Sequence, residues 1–154
     1  MTRVALISDT HGLIRPEILP HLQRAHRTLH AGDIDSPQTL AALQAVTSLT
    51  VIRGNVDKGV WAARLPLTET VQIEGALIHM GHNLADLDSD SLPTGCSAVV
   101  YGHSHQPKIE RRGSVWFINP GSCGPKRFRL PVTMAMLEVE SNGELSAELI
   151  ELNV

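Results

Sequence analysis

Aromatic side chains are nearly missing from this chain of 154 residues: two Trp, two Phe and one Tyr make up 3% of it. Few surfaces are therefore available on which nucleobases could stack, and the core has to rest on Leu, Val, Ile and Ala. An excess of one charge sign is missing as well. With 16 acidic and 13 basic residues the net charge is −3, which excludes the broad basic footprint of a nucleic-acid binder, a local patch aside. Long apolar runs are lacking. The first, Val4 to Ile7, stops at Ser8 and Asp9, too short for a signal core or a membrane span. Cysteine is limited to Cys96 and Cys123, far apart and in no CxxC pattern, which argues against a disulfide framework and for a reducing cytosol. These absences predict a soluble cytoplasmic protein with no membrane partner.

What is present is a series of apolar runs with ordered punctuation. The length suits a single domain, residues 1–154, with enough chain to bury a core. Val4 to Ser8, Leu29 to Gly32 and Leu49 to Arg53 read as three buried strands. Between them, Pro16 can open a helix with Ile18, Leu19 and Leu22 on its apolar face, kept short or irregular by Pro20. Ser36-Pro37 reads as an N-cap and first helical residue, followed by Leu40, Leu43 and Val46 at helical spacing. Val60 to Arg64 can form a helical turn. The pattern then becomes antiparallel. Thr68 to Ile73 and Ala76 to Met80 flank Glu74-Gly75, and Val132 to Val139 and Leu145 to Leu152 flank Ser141-Asn142-Gly143, two hairpin signals. Ala98 to Gly102 and Ser114 to Ile118 are further strands. Alternation followed by meander predicts an α/β protein with two packed sheets and helices outside, rather than one doubly wound sheet.

Four polar clusters follow directly on apolar runs: Asp9-Thr10-His11, Gly32-Asp33, Gly54-Asn55-Val56-Asp57 and Gly102-His103-Ser104-His105. Strand ends that carry Asp, His or Asn can converge on one point, where open α/β sheets place ligands. Carboxylate, imidazole and amide oxygen together suit a pair of divalent ions of intermediate hardness. Two such ions sit roughly 3.5–4 Å apart and need a bridging oxygen, for which Asp33 is the natural candidate. Asp9 with His11, and His103 with His105, share a face if their segments are extended.

In this order the clusters resemble the calcineurin-like metallophosphoesterases, above all the small single-domain bacterial and archaeal phosphodiesterases of that superfamily. The resemblance runs from Val4 to about Phe128 and takes in Asn119-Pro120-Gly121-Ser122. Any one motif is weak; five in order at family-like intervals are specific. The resemblance implies a four-layer αββα sandwich of two mixed β-sheets flanked by helices, with a dinuclear metal site at the strand ends. By motif, Asp9, His11, Asp33 and His105 hold one ion, and Asp33, Asn55, a further His and His103 hold the other. Mn²⁺ is the preferred metal, with Mg²⁺, Fe, Ni²⁺ or Zn²⁺ as alternatives. The implied reaction is hydrolysis of a phosphoester by a metal-bridging hydroxide, with Asn55 and His103 positioning the phosphoryl group.

Two departures bear on this reading. The further His is usually written His-Gly-His or His-Asp-Leu in the family, whereas this chain reads His79-Met80-Gly81-His82-Asn83-Leu84. His82 is preferred because it lies beyond the apolar run, with His79 in reserve; a Met80 thioether suits these ions poorly. The second is Val56, where larger relatives carry a His able to protonate a leaving group. Without that acid, activated phosphodiesters should react better than alkyl monoesters. Asp57 reads as orienting a neighbour rather than binding metal. His30 sits in or behind the site with no assignable chemistry. Lys126, Arg127 and Arg129 form a basic cluster, and Arg127 is a candidate phosphate anchor. The partner is then a small phosphoester or nucleotide-like substrate, with nucleic acid disfavoured and homo-oligomerisation left open. The rival from another class is a scaffold or interaction module, since the scaffold subunit of retromer has this fold and chiefly binds proteins.

Overall fold

The computed structural model describes residues 1–154, the side chain of Ser89 excepted. Its first strand, β1 (Thr2–Ile7), is apolar on both faces, and the two faces enter different cores. Val4 and Leu6 point between two sheets, while Ala5 and Ile7 point outward under helices. A strand buried on both sides reads as a continuous apolar run, as here. The first sheet continues through β2 (Arg27–His30) and β3 (Leu49–Val51), both parallel to β1, and on the other side through β9 (Thr133–Val139), antiparallel to β1, and β10 (Leu145–Glu151), antiparallel to β9. Its outer face is covered by α1 (Leu19–Arg24), preceded by a 3₁₀ turn at Pro16–Ile18, and by α2 (Pro37–Val46), with Ile18, Leu22 and Leu43 packed on Met134 and Met136. Ser36 caps α2: its hydroxyl accepts the Thr39 N–H at 3.2 Å. A single helical turn, α3 (Val60–Ala63), follows β3.

The second sheet runs β4-β5-β6-β8-β7: β4 (Thr68–Ile73), β5 (Ala76–Gly81), β6 (Cys96–Val100), β7 (Lys108–Arg112) and β8 (Val115–Asn119). Here β5, β6 and β8 are parallel, and β4 and β7 are antiparallel edge strands. The sequence reading did not foresee β7. Its Lys-Ile-Glu-Arg-Arg carries the charges that blunt a sheet edge, so it lacks an apolar signature. Between the sheets, Val4, Leu6, Leu29 and Leu137 meet Ile78, Met80, Val100 and Ile118 in the main core. The outer face of the second sheet, with Val99, Tyr101 and Phe117, is thinly covered by the segment bearing Leu84, Leu87 and Leu92, which forms 3₁₀ turns at Leu84–Asp86 and Ser89–Ser91.

Register aligns the strand ends. Ile7 pairs with His30 and His30 with Val51; Met80 pairs with Val100 and Val100 with Ile118. Three parallel strands in each sheet therefore stop in a row, and the polar clusters leave from those rows.

Candidate metal centre

The loops beyond the strand ends are tied to their neighbours within each sheet. The Asp9 N–H donates to the Gly32 carbonyl at 3.0 Å, His11 N–H to Asp33 O at 3.0 Å and Gly102 N–H to His82 O at 2.9 Å. Extended-strand parity does not orient the polar residues, contrary to the sequence reading. β1 ends at Ile7, and Asp9, His11, Asp33, His103 and His105 all have positive φ, from 45° to 73°. Left-handed backbone is strained for such residues, and here it turns each side chain back toward a common point. Two glycines permit the close approach. A Cβ on Gly32, itself at φ +101°, would press on the His82 imidazole and on the Gly54 backbone, and one on Gly102 would collide with Ser8 and Asp9.

At that point two carboxylates face three imidazoles. Asp9 Oδ1 lies 3.4 Å from His105 Nε2, 3.6 Å from His11 Nε2 and 3.9 Å from His82 Nε2. Asp33 Oδ2 lies 3.1 Å from His82 Nε2 and 3.6 Å from His11 Nε2. The atoms sort into two overlapping groups of metal-binding size, Asp9–His11–His105 and Asp9–Asp33–His82. Asp9 belongs to both, and Asp33 faces an imidazole of each. His103 joins at the rim: its N–H donates to Asp9 Oδ2 at 3.2 Å and its imidazole Nδ1 meets Asn55 Oδ1 at 3.1 Å.

Buried Asp9 Oδ1 and His82 Nε2 have no hydrogen-bond partner. Orphaned polar atoms of this kind call for an explanation, and a divalent cation among carboxylate oxygen and imidazole nitrogen supplies one. Electrostatics agree. Burial disfavours the Asp9 charge, but the His105 and His11 imidazoles and the Ser8 hydroxyl hold its carboxyl well below the usual carboxylate range. Burial also opposes a charged His82, yet Asp33, Asp9 and the Ala31 carbonyl outweigh it and raise its pKa. His82 Nδ1 donates to Ala31 O at 2.7 Å, leaving Nε2 aimed at the carboxylates. His79 is elsewhere on β5, against Thr70 at 2.8 Å, and Met80 is wholly buried between the sheets.

The residues around the centre act as its frame. Asp57 accepts four backbone N–H groups: those of Ile34 and Asp35 on Oδ1, and of Asp33 and Gly54 on Oδ2, at 2.8–3.0 Å. Asn119 donates to Gly102 O at 3.1 Å, and Ser122 to Asp9 O at 2.8 Å. His30 accepts the Gly32 N–H on Nδ1 at 3.0 Å, so Nε2 carries its proton and donates to Thr10 at 3.0 Å. Arg127 is exposed on the 125–130 loop and does not line the cleft beside the centre. Arg53 does line it. Sequence reasoning missed Arg53, although its position directly before Gly54-Asn55 at a strand end was a usable signal.

His30 makes acid stability testable. Complete burial lowers its pKa to about 4 from 6.5. Below pH 6.5 the unfolded chain therefore binds more protons at this position, and the stability held at neutral pH is lost as pH falls from 6.5 toward 4, by up to about 3 kcal/mol. Urea midpoints of metal-free protein at pH 7 and 4.5 should show a fall that shrinks in His30→Asn. An equal fall in both proteins would contradict it. His82, whose pKa is raised, works in the opposite direction, so the comparison with the variant is needed.

Comparison with known proteins identifies the family. The profile of the calcineurin-like phosphoesterase superfamily domain matches residues 2–142. A probable metallophosphoesterase of Methanothermobacter thermautotrophicus is 30% identical over 96% of this chain and 91% of its own length. Among solved structures, the phosphoesterase YfcE of E. coli superposes with a TM-score of 0.69 at 21% identity, covering 98% of this chain and 100% of that one. Vps29 of Entamoeba histolytica, complexed with zinc, superposes with a TM-score of 0.73 at 21% identity, covering 98% and 99%. These two likenesses speak to the fold, and the family match extends over most of the sequence. The chain belongs to the calcineurin-like phosphoesterase superfamily.

Proposed function

We propose that this protein is a dinuclear-metal phosphodiesterase of one domain, residues 1–154, working in the cytoplasm on a small phosphoester. The observation that carries the reading is the convergence of Asp9, Asp33, His11, His82 and His105, with buried Asp9 Oδ1 and His82 Nε2 left without partners. In this reading Asp9, His11, Asp33 and His105 hold one ion, and Asp33, Asn55, His82 and His103 hold the other, with Asp9 close to both. When bound, divalent ions, Mn²⁺ by preference, acidify a water and draw phosphate oxygens toward themselves. Asn55 and His103, hydrogen-bonded to each other at the rim, place the phosphoryl group. Asp33 is steadied by the Val56 N–H on Oδ1 at 3.1 Å, which leaves Oδ2 for the centre. Cys123 takes no part: it is wholly buried, and burial pushes its thiol up to about 12.

Val56 offers no proton to a departing alkoxide, so leaving groups that need none should be favoured. With Mn²⁺ present, kcat/KM for bis-p-nitrophenyl phosphate should exceed that for an alkyl phosphomonoester by at least about a hundredfold. Faster turnover of the alkyl monoester would overturn the diesterase reading. The likeness to Vps29 supports the scaffold reading as the alternative, and bound metal without turnover of any phosphoester would favour it. Among the described residues no helix is long and apolar enough to cross a membrane.

A further inference from the structure

Beside the His82 edge of the centre lies a cleft of about 450 Å³, a volume suited to a small organic molecule. Besides His103, three segments build it: Arg53-Gly54-Asn55 beyond β3, Leu67-Thr68 at the start of β4, and, from the end of β5 onward, Gly81-His82-Asn83 with Asp86-Leu87. His82 and His103 line it too, so it opens onto the candidate metal centre.

Arg53 is half-buried, and the Arg and Lys ion pairs among the described residues are Arg3–Glu138, Lys108–Glu110 and Arg112–Glu110. Arg53 lines the cleft with no carboxylate oxygen within 4.0 Å of its guanidinium. The Arg53 N–H donates to Pro66 O at 2.8 Å, which fixes the segment carrying Leu67 beside it. Leu67 is 61% exposed. Across the cleft Leu87 packs on Gly81 so closely that a Cβ there would strike it. An arginine without an ion-pair partner and two leucines, lining one cleft, complement a molecule that is anionic at one end and apolar at the other. Asp86 lines the same cleft and opposes a second phosphate, as does the net charge of −3.

We infer that this cleft binds the organic substituent of a small phosphate ester, of aryl or nucleoside size, with Arg53 on the phosphate and Leu67 and Leu87 on the apolar face. This rests on the phosphoesterase reading and adds to it a substrate class: a compact single ester rather than a nucleic-acid strand. Arg127 is not part of it.

Calorimetric titration of the full, Mn²⁺-loaded chain with phenyl phosphate and with inorganic phosphate tests the inference without turnover. The wild type should bind phenyl phosphate about tenfold more tightly than phosphate. Leu67→Ser should erase that preference and leave phosphate affinity unchanged, whereas Arg53→Gln should weaken both ligands about tenfold. Metal content and thermal melting of both variants should match wild type, since neither side chain supports the centre or the core; Leu67→Asn replaces Leu67→Ser if the latter folds poorly. Equal binding of the two ligands by wild type, or indifference to both substitutions, overturns the cleft assignment. A wild type with these binding differences and no turnover of bis-p-nitrophenyl phosphate or any other phosphoester supports the cleft and overturns the hydrolase.

Discussion

Asp9→Asn is expected to empty both metal positions at once. Its Oδ1 is within 3.4–3.9 Å of the Nε2 atoms of His105, His11 and His82, and Asp9 belongs to both groups of candidate ligands. Asn keeps the shape and can still accept from Ser8 and the His103 N–H, the two donors on Oδ2, so the fold should hold. What is removed is the charge that the surrounding imidazoles already favour. Loss of a partner that merely orients a ligand costs about 10–100-fold in metal affinity; loss of a charge that serves one ion as ligand and stands beside the other should exceed the upper end of that range. Elemental analysis after dialysis should find almost no metal in Asp9→Asn and about half the wild-type content in His82→Gln. Full occupancy in Asp9→Asn would show that the two groups do not share this residue.

Asp57→Ala is expected to destabilise the protein by about 3–5 kcal/mol, a large part of a typical domain's 5–15 kcal/mol. The carboxylate gathers the N–H groups of Asp33, Ile34, Asp35 and Gly54, and it is 4% exposed, so water can replace it only by opening the loop. Unpaired buried donors cost about 1–3 kcal/mol each, less whatever relaxation recovers. The damage should reach the metal centre as well, because Asp33 and Asp35 sit at φ 63° and 84°, and these bonds hold them there against their own preference. Urea midpoint and Mn²⁺ affinity should therefore fall together, with Asp57→Asn between the alanine variant and wild type. An unchanged midpoint would mean that the loop is held by something other than Asp57.

The elements that sequence reasoning found are those with a strong local cause. The apolar runs of β1, β2 and β3, the Ser36-Pro37 start of α2 and the hairpin around Asn142-Gly143 each carry their signal within a few residues. β7 escaped because an edge strand is stabilised by its neighbour β8 and needs little apolar character of its own. His82 could be preferred over His79 from its place after the run, but the reason it faces the carboxylates is tertiary: Ala31 O, from the other sheet, takes its Nδ1 proton. His30 and Arg53 show the same limit. One looked like chemistry without a role and is a buried tie between two loops; the other looked like the end of a strand and lines a cleft.

By itself the sequence determined the kinds of donor side chain, the order of the clusters and the strand ends from which they leave, because donor type and apolar periodicity are local properties. Only the tertiary structure decided how those donors meet. Left-handed turns at Asp9, His11, Asp33, His103 and His105 are set by contacts between loops that lie far apart in the chain, such as His103 N–H on Asp9, 94 residues away. The cleft was equally a tertiary matter, since Arg53, Leu67 and Leu87 come from three separate segments and share a wall only once the two sheets have packed.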